Sequence, residues 1–196
     1  TNPNLIDEKI LYQKSIVNDD QYFQPSKKIE EGQTYNVGDL INHMIYYSDN
    51  NAASILAGLV DADTLNGTMK SVGFGSPQPG NNFLVNTKTY AGFFRVLFNA
   101  SYLSKDYSEA ALKVLTGTEF SLGINAQLPK NIIVAHKFGE KEVDGLKQVH
   151  DCGIVYYPGH PYLICVMTKG YDYEKMVSSV SDVSKFIYDE IVEGLN

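Results

Sequence analysis

Apolar positions along this chain follow two rhythms. In the first half they recur at spacings of three and four, the repeat of a helix with one buried face; between residues 131 and 168 they form short β-branched and aromatic blocks broken by turn chemistry. Val37, Leu40, Ile41, Met44 and Ile45 make the first helical stripe, capped by Thr34 or Asn36, with Asp39 placed to suit a capped first turn. Ser48-Asp49-Asn50 interrupts that stripe and caps a second helix, whose face of Ala52, Ala53, Ile55, Leu56, Leu59 and Val60 suits close packing. A third helix is expected over residues 62–72, ended by Gly73 and followed by a Gly- and Pro-rich loop at 73–80. Thr87 caps a long helix containing Tyr90, Phe93, Phe94, Val96, Leu97 and Phe98, and Ser108 caps another with Ala111, Leu112 and Leu115 inward.

Three strands are expected next, at 131–140, 148–157 and 162–168. The breaks are Gly139 with the charged loop from Glu140 to Gly145, and then Pro158-Gly159-His160-Pro161. One helix closes the chain, with Met176, Val180, Val183, Phe186, Ile187, Ile191 and Leu195 on its apolar stripe. Residues 10–23 show no clean period and read as connecting structure with a short extended piece. The order of helices, three antiparallel strands and a helix predicts an α+β fold. It divides into a connecting segment (1–19), a helical lobe (20–125) and a sheet-plus-helix lobe (126–196).

At 196 residues and 43% hydrophobic content the chain can bury a real core. A formal charge of −7 without a Lys/Arg cluster argues against a nucleic-acid surface. No apolar run approaches the roughly 20 residues of a membrane span. Cys152 and Cys165 fall on adjacent strands and read as buried free thiols, with a facing disulfide as the alternative. His136, His150, Asp151, Cys152 and His160 crowd the strands but lack His-x-His or Cys-x-x-Cys spacing. Alternation sends His150 and Asp151 to opposite faces, so no metal is expected, and no cofactor. His43 reads as a packing or surface histidine.

Two motifs carry the candidate chemistry. Ser48-Asp49-Asn50 alone would be an N-cap cluster, and Lys137 alone a solvated strand-end charge. Lys137-Phe138-Gly139 at a strand edge nevertheless leaves backbone open beside a fixed cation, because glycine has no side chain to block approach. Together they resemble two of the three motifs of the penicillin-recognising serine enzymes. From about Leu5 to the C-terminal helix, the chain is similar to the later part of class A β-lactamases and related penicillin-binding proteins, supported by Asp151-Cys152-Gly153-Ile154-Val155-Tyr156 on the next strand.

The resemblance implies a β-lactamase/transpeptidase-like fold and acyl transfer outside the cytoplasm, on a β-lactam or a D-alanyl cell-wall peptide. It implies that Ser48 relays a proton to the departing amide nitrogen and that Asn50 hydrogen-bonds the substrate's amide side chain. Lys137 would hold the substrate carboxylate and lower the proton affinity of Ser48. Gly139 would permit close approach of the acyl group, the backbone N–H of Glu140 would serve the oxyanion hole, and Asp49 would be structural. The family's nucleophile belongs to a Ser-x-x-Lys motif, and no Ser or Thr here has Lys three positions on. That helix, two further strands and an N-terminal helix are therefore expected upstream of Thr1.

Two features depart from the family. Phe138 stands where a Thr or Ser hydroxyl usually helps hold the carboxylate. The region 74–87, where class A enzymes carry an acid that activates the deacylating water, has no Asp or Glu; Asn81, Asn82 and Asn86 cannot act as bases. Slow deacylation is expected, which favours a peptidase-like or penicillin-binding role. The competing expectation is a non-catalytic binding or structural module that keeps the cleft.

Overall fold

A computed structural model describes residues 5–14, 21–74 and 85–195. The loop expected at 73–80 lies outside the described residues from position 75 onward, as do Asn81 and Asn82.

Short polar side chains start each helix, by accepting hydrogen bonds from otherwise orphaned backbone N–H groups. Asn36 accepts from Asp39 N at 2.7 Å to open α1 (Val37–Tyr46), and the Asp49 side chain opens α2 (Asn50–Gly58). Asp61 caps α3 (Ala62–Ser71). Two expected caps move. Asn86, one residue before Thr87, accepts from Thr89 N and opens α4 (Thr87–Phe98). Ser104, not Ser108, opens α5 (Lys105–Leu115), and Ser108 is buried a turn inside it. The apolar stripe marks where that helix becomes covered; its first turn is exposed and carries no such mark.

Ahead of the helices, β1 (Lys9–Leu11) pairs antiparallel with β2 (Thr34–Asn36), which supplies the extended piece expected within 10–23. The main sheet contains β3 (Ile133–Val143), β4 (Leu146–Tyr156) and β5 (Tyr162–Gly170), antiparallel in that order, so among the described residues β3 lies at an edge. β3 runs four residues past Gly139 where a loop was expected. Glu140, Lys141, Glu142 and Val143 stay paired with β4, and the turn is only Asp144-Gly145, both at positive φ (53° and 76°). Such a two-residue turn matches the right-handed twist of its strands.

Cys152 and Cys165 form a disulfide, which corrects the reading of free thiols. They are register partners on β4 and β5 with Cα atoms 4.0 Å apart, so their side chains meet on one face.

Two layers cover the sheet. On one face, Ala135, Cys152 and Ile154 pack with Phe94 and Leu97 of α4 and Leu112 and Leu115 of α5. On the other, Phe138 and Val149 meet Phe120, Met176 and Val177, the last two from α6 (Tyr173–Gly194). Each such fully buried side chain contributes about 1.5–3 kcal/mol. The inward stripe of α6 is Met176, Val177, Val180, Ser181 and Ser184, whereas Val183, Phe186 and Leu195 are exposed and Ile187 largely so. The helix is rotated so that Ser184 Oγ reaches the carbonyl of Ile124 at 2.6 Å, which the spacing of apolar residues does not reveal. None of the described helices is long and apolar enough to cross a membrane.

Candidate active site

The corner between α1 and α2 meets β3 through a hydrogen bond between Ser48 and Lys137. Tyr47 ends α1, Ser48 takes a left-handed conformation (φ 54°) and Asp49 starts α2. A serine in that region is uncommon and needs its surroundings to hold it. Asp49 supplies the hold. Its buried carboxylate accepts from Asn51 N (2.9 Å), Ala52 N (3.0 Å) and Ile29 N (2.7 Å), with the His43 ring 3.9 Å away. The turned corner presents Ser48 Oγ to Lys137 of β3, whose Nζ donates to it at 2.8 Å across 89 positions of sequence.

Lys137 also donates to the carbonyl of Phe138 (3.0 Å), and its Nζ stands 4.3 Å from the centre of the Phe138 ring. Burial disfavours the ammonium and pushes its pKa down to about 8, against the opposing pull of Asp151 and Glu140. Phe138 is 2% exposed and stacks on Phe120 with centroids 3.8 Å apart, edge-on to Phe23. Its ring is part of the buried layer facing α6.

Gly139 has a specific neighbour. A Cβ placed there would lie 2.4 Å from Cε1 and Nε2 of His150, its register partner on β4. The room the glycine leaves is taken by an imidazole, which also meets Tyr90 of α4 edge-to-face. Burial holds the His150 pKa below its ordinary value, with Asp151 opposing and Lys137 adding to the depression. Burial, then Asp151, raises that of Tyr90. His136 faces the other side, where its Nδ1 contacts Asp151 at 2.9 and 3.0 Å. His136 and His150 thus lie on opposite faces, and among the described residues no group of three or more metal-binding side chains forms.

A segment spanning Gln21 to Gln24 closes one side of the site. Gln21 Nε2 donates to the carbonyl of Ser48 (3.0 Å), and the N–H groups of Tyr22 and Phe23 donate to Glu140 Oε1 (2.7 and 3.1 Å). Tyr173 of α6 donates to the other oxygen of that carboxylate at 2.7 Å. Asn50, Gln21, Tyr22, Gln24, Glu140, Lys141 and Glu142 line an adjoining cleft of about 680 Å³. Of the residues expected at the site, Asn50 and Glu140 line this cleft, Ser48 and Lys137 are joined by their hydrogen bond, Gly139 faces the His150 ring, and Asp49 and Phe138 are buried.

The part of His150 opposite Gly139 was missed in the sequence, although the Asp144-Gly145 hairpin signal contains it. Counting outward from that turn pairs Gly139 with His150 and Lys137 with Cys152. No local signal marks the strap at Gln21 to Gln24, or Glu119, whose carboxylate accepts from Ser26 N at 2.9 Å.

A family profile described as "Beta-lactamase enzyme family" matches residues 4–191. Similar solved structures include a representative class A beta-lactamase from Bacteroides cellulosilyticus, with TM-score 0.77 and 22% identity over 95% of this chain and 75% of that one. PBP-A superposes with TM-score 0.75 and 20% identity over 96% of this chain and 72% of that chain. A PBP-A mutant, an acyl-enzyme complex with penicillin-G, gives TM-score 0.75 and 19% identity over 96% and 73%. At these identities the likeness establishes the fold. Comparison with curated proteins finds no match.

Proposed function

The chain belongs to the beta-lactamase enzyme family, and from that premise we propose that it forms the proton-relay and substrate-holding part of a serine acyl-transfer site. The observation that carries this reading is the 2.8 Å hydrogen bond from Lys137 Nζ to Ser48 Oγ, beside the open cleft. An ammonium at that distance stabilises negative charge on the hydroxyl oxygen, so Ser48 can give its proton to a departing amide nitrogen and recover one afterwards. The same cation attracts a substrate carboxylate. Asn50 at the cleft wall receives the substrate's amide, and the backbone N–H of Glu140 polarises its carbonyl. The nucleophile comes from a Ser-x-x-Lys helix outside residues 1–196. The substrates are β-lactams or D-alanyl peptides of the bacterial cell wall, met outside the cytoplasm.

Two features favour slow turnover or a binding role over efficient β-lactam hydrolysis. Phe138 is turned into the buried layer and offers no hydroxyl to a carboxylate. The strap at Gln21 to Gln24 ties Ser48 to Glu140 across one side of the site.

The test is intact-mass spectrometry of the full-length polypeptide incubated with a penicillin. A persistent adduct is expected, and Ser48→Ala or Lys137→Ala should slow its formation by about 10²-fold or more. Unchanged adduct formation in both folded variants removes these residues from the mechanism. With neither adduct nor drug turnover in the unaltered protein, the binding-module reading takes its place.

A further inference from the structure

Glu140 enters the acyl-transfer reading only through its backbone N–H, but its side chain has partners of its own. Two residues after Phe138 on β3, it points to the same face of the sheet, where α6 lies. Its Oε1 accepts from Tyr22 N at 2.7 Å and from Phe23 N at 3.1 Å, across 118 and 117 positions of sequence. Tyr173, the first residue of α6, donates its hydroxyl to Oε2 at 2.7 Å. An ionised carboxylate accepts several hydrogen bonds at once, and such charge-assisted bonds are stronger than neutral ones.

The rings of the strap settle on the same framework. Tyr22 stacks on Tyr173 with centroids 4.8 Å apart, and its hydroxyl donates to Glu142. Phe23 stands edge-on to Phe120 and Phe138, at 5.3 and 5.1 Å. Gln21 reaches the Ser48 carbonyl from the same segment. Backbone and side chains of the strap are thus tied to β3, α6 and the α1–α2 corner, with Glu140 taking the backbone share. Held there, Gln21, Tyr22 and Gln24 line the cleft of about 680 Å³ that Asn50 and Glu140 also line. With the substrate's amide on Asn50 and its carbonyl on the Glu140 N–H, the acyl side chain leaves into this cleft. The position of the strap then limits how bulky that side chain can be.

We propose that the Glu140 carboxylate, backed by the Tyr173 hydroxyl, is a positioning group that pins the strap, and that the pinned strap restricts the bulk of the acyl side chain the cleft admits. The selectivity rests on the acyl-transfer reading, whereas the pinning does not. A carboxylate that only tidied the edge of β3 would leave the preference between bulky and small substrates untouched.

Two readouts on the full-length polypeptide test this. Amide hydrogen exchange of Tyr22 and Phe23, followed by NMR without substrate, should quicken about 10-fold or more in Glu140→Ala, and less in Glu140→Gln, which keeps an acceptor oxygen. Acylation is then timed with two penicillins, one with a methyl and one with a branched aromatic acyl side chain. The ratio of their rates should shift about 10-fold toward the bulkier in Glu140→Ala. A folded Glu140→Ala with unchanged exchange overturns the proposal, and so does faster exchange with an unchanged ratio. Should Glu140→Ala fail to fold, Tyr173→Phe, which keeps the ring and removes the donated hydroxyl, takes its place and is judged by the same two outcomes. If neither penicillin forms an adduct with the unaltered protein, the acyl-transfer reading and the selectivity built on it fail, while exchange still decides whether Glu140 pins the strap.

Discussion

Replacing Lys137 by methionine should remove a pH dependence of stability that burial of the lysine imposes. The side chain has an ordinary pKa of 10.5 and is pushed down to about 8 in the fold, chiefly by desolvation. Between those values the unfolded chain binds more protons than the folded one, so stability rises as pH climbs from 8 to 10.5. Below pH 8 the full penalty of burying the ammonium applies, about 3 kcal/mol for a gap of this size. From pH 7.5 to 10 about 2 kcal/mol of it is relieved. Methionine fills similar volume without charge, and the remaining groups titrate alike in both proteins. Urea unfolding of each at the two pH values isolates the lysine's contribution. The unaltered protein should gain about 1 M in midpoint relative to Lys137→Met at the higher pH. A difference between the two proteins that stays constant over that range would refute a lysine held deprotonation-prone by burial.

Two further substitutions probe the framework of the site. Gly139→Ala places a Cβ 2.4 Å from the His150 ring and should cost about 1–3 kcal/mol in urea unfolding. His150→Ala should restore most of that loss in the double variant; a neutral Gly139→Ala would mean the imidazole is not seated there. Removing the Cys152–Cys165 bond with a double alanine substitution should cost about 3 kcal/mol, since the bridge closes a loop of 13 positions. Thiol titration of the denatured, unreduced protein should find no free sulfhydryl, and two reactive thiols would contradict the bond.

Much of this molecule is legible because its signals are short-range. Asn36 with Asp39 opens α1, and Asp49 opens α2 through its own neighbours' N–H groups. The three strands are marked by β-branched runs and turn residues, and Asp144-Gly145 encodes the register of β3 against β4. What misled was equally specific. Thr87 and Ser108 are good capping residues, but Asn86 and Ser104 stand where the first free N–H groups are. Gly139 reads as a place where a strand ends, yet in the fold it is a strand residue emptied to admit His150.

The sequence by itself determined where the main helices and strands lie, which residues start α1 and α2, and that Ser48-Asp49-Asn50 and Lys137-Phe138-Gly139 are the chemically unusual stretches. Capping, periodicity and turn preference act over a few residues, and so are written locally. Only tertiary structure decided that Lys137 meets Ser48, that Phe138 turns into an aromatic layer with Phe120 and Phe23, and that the buried Asp151 pairs with His136. Each of those outcomes depends on which face of an element is covered and by what. Phe138 could as well have lined the cleft; the packing of Phe120 and α6 on that side of the sheet drew it inward. The charge on Lys137 is likewise set chiefly by burial, which does not exist until the chain has folded.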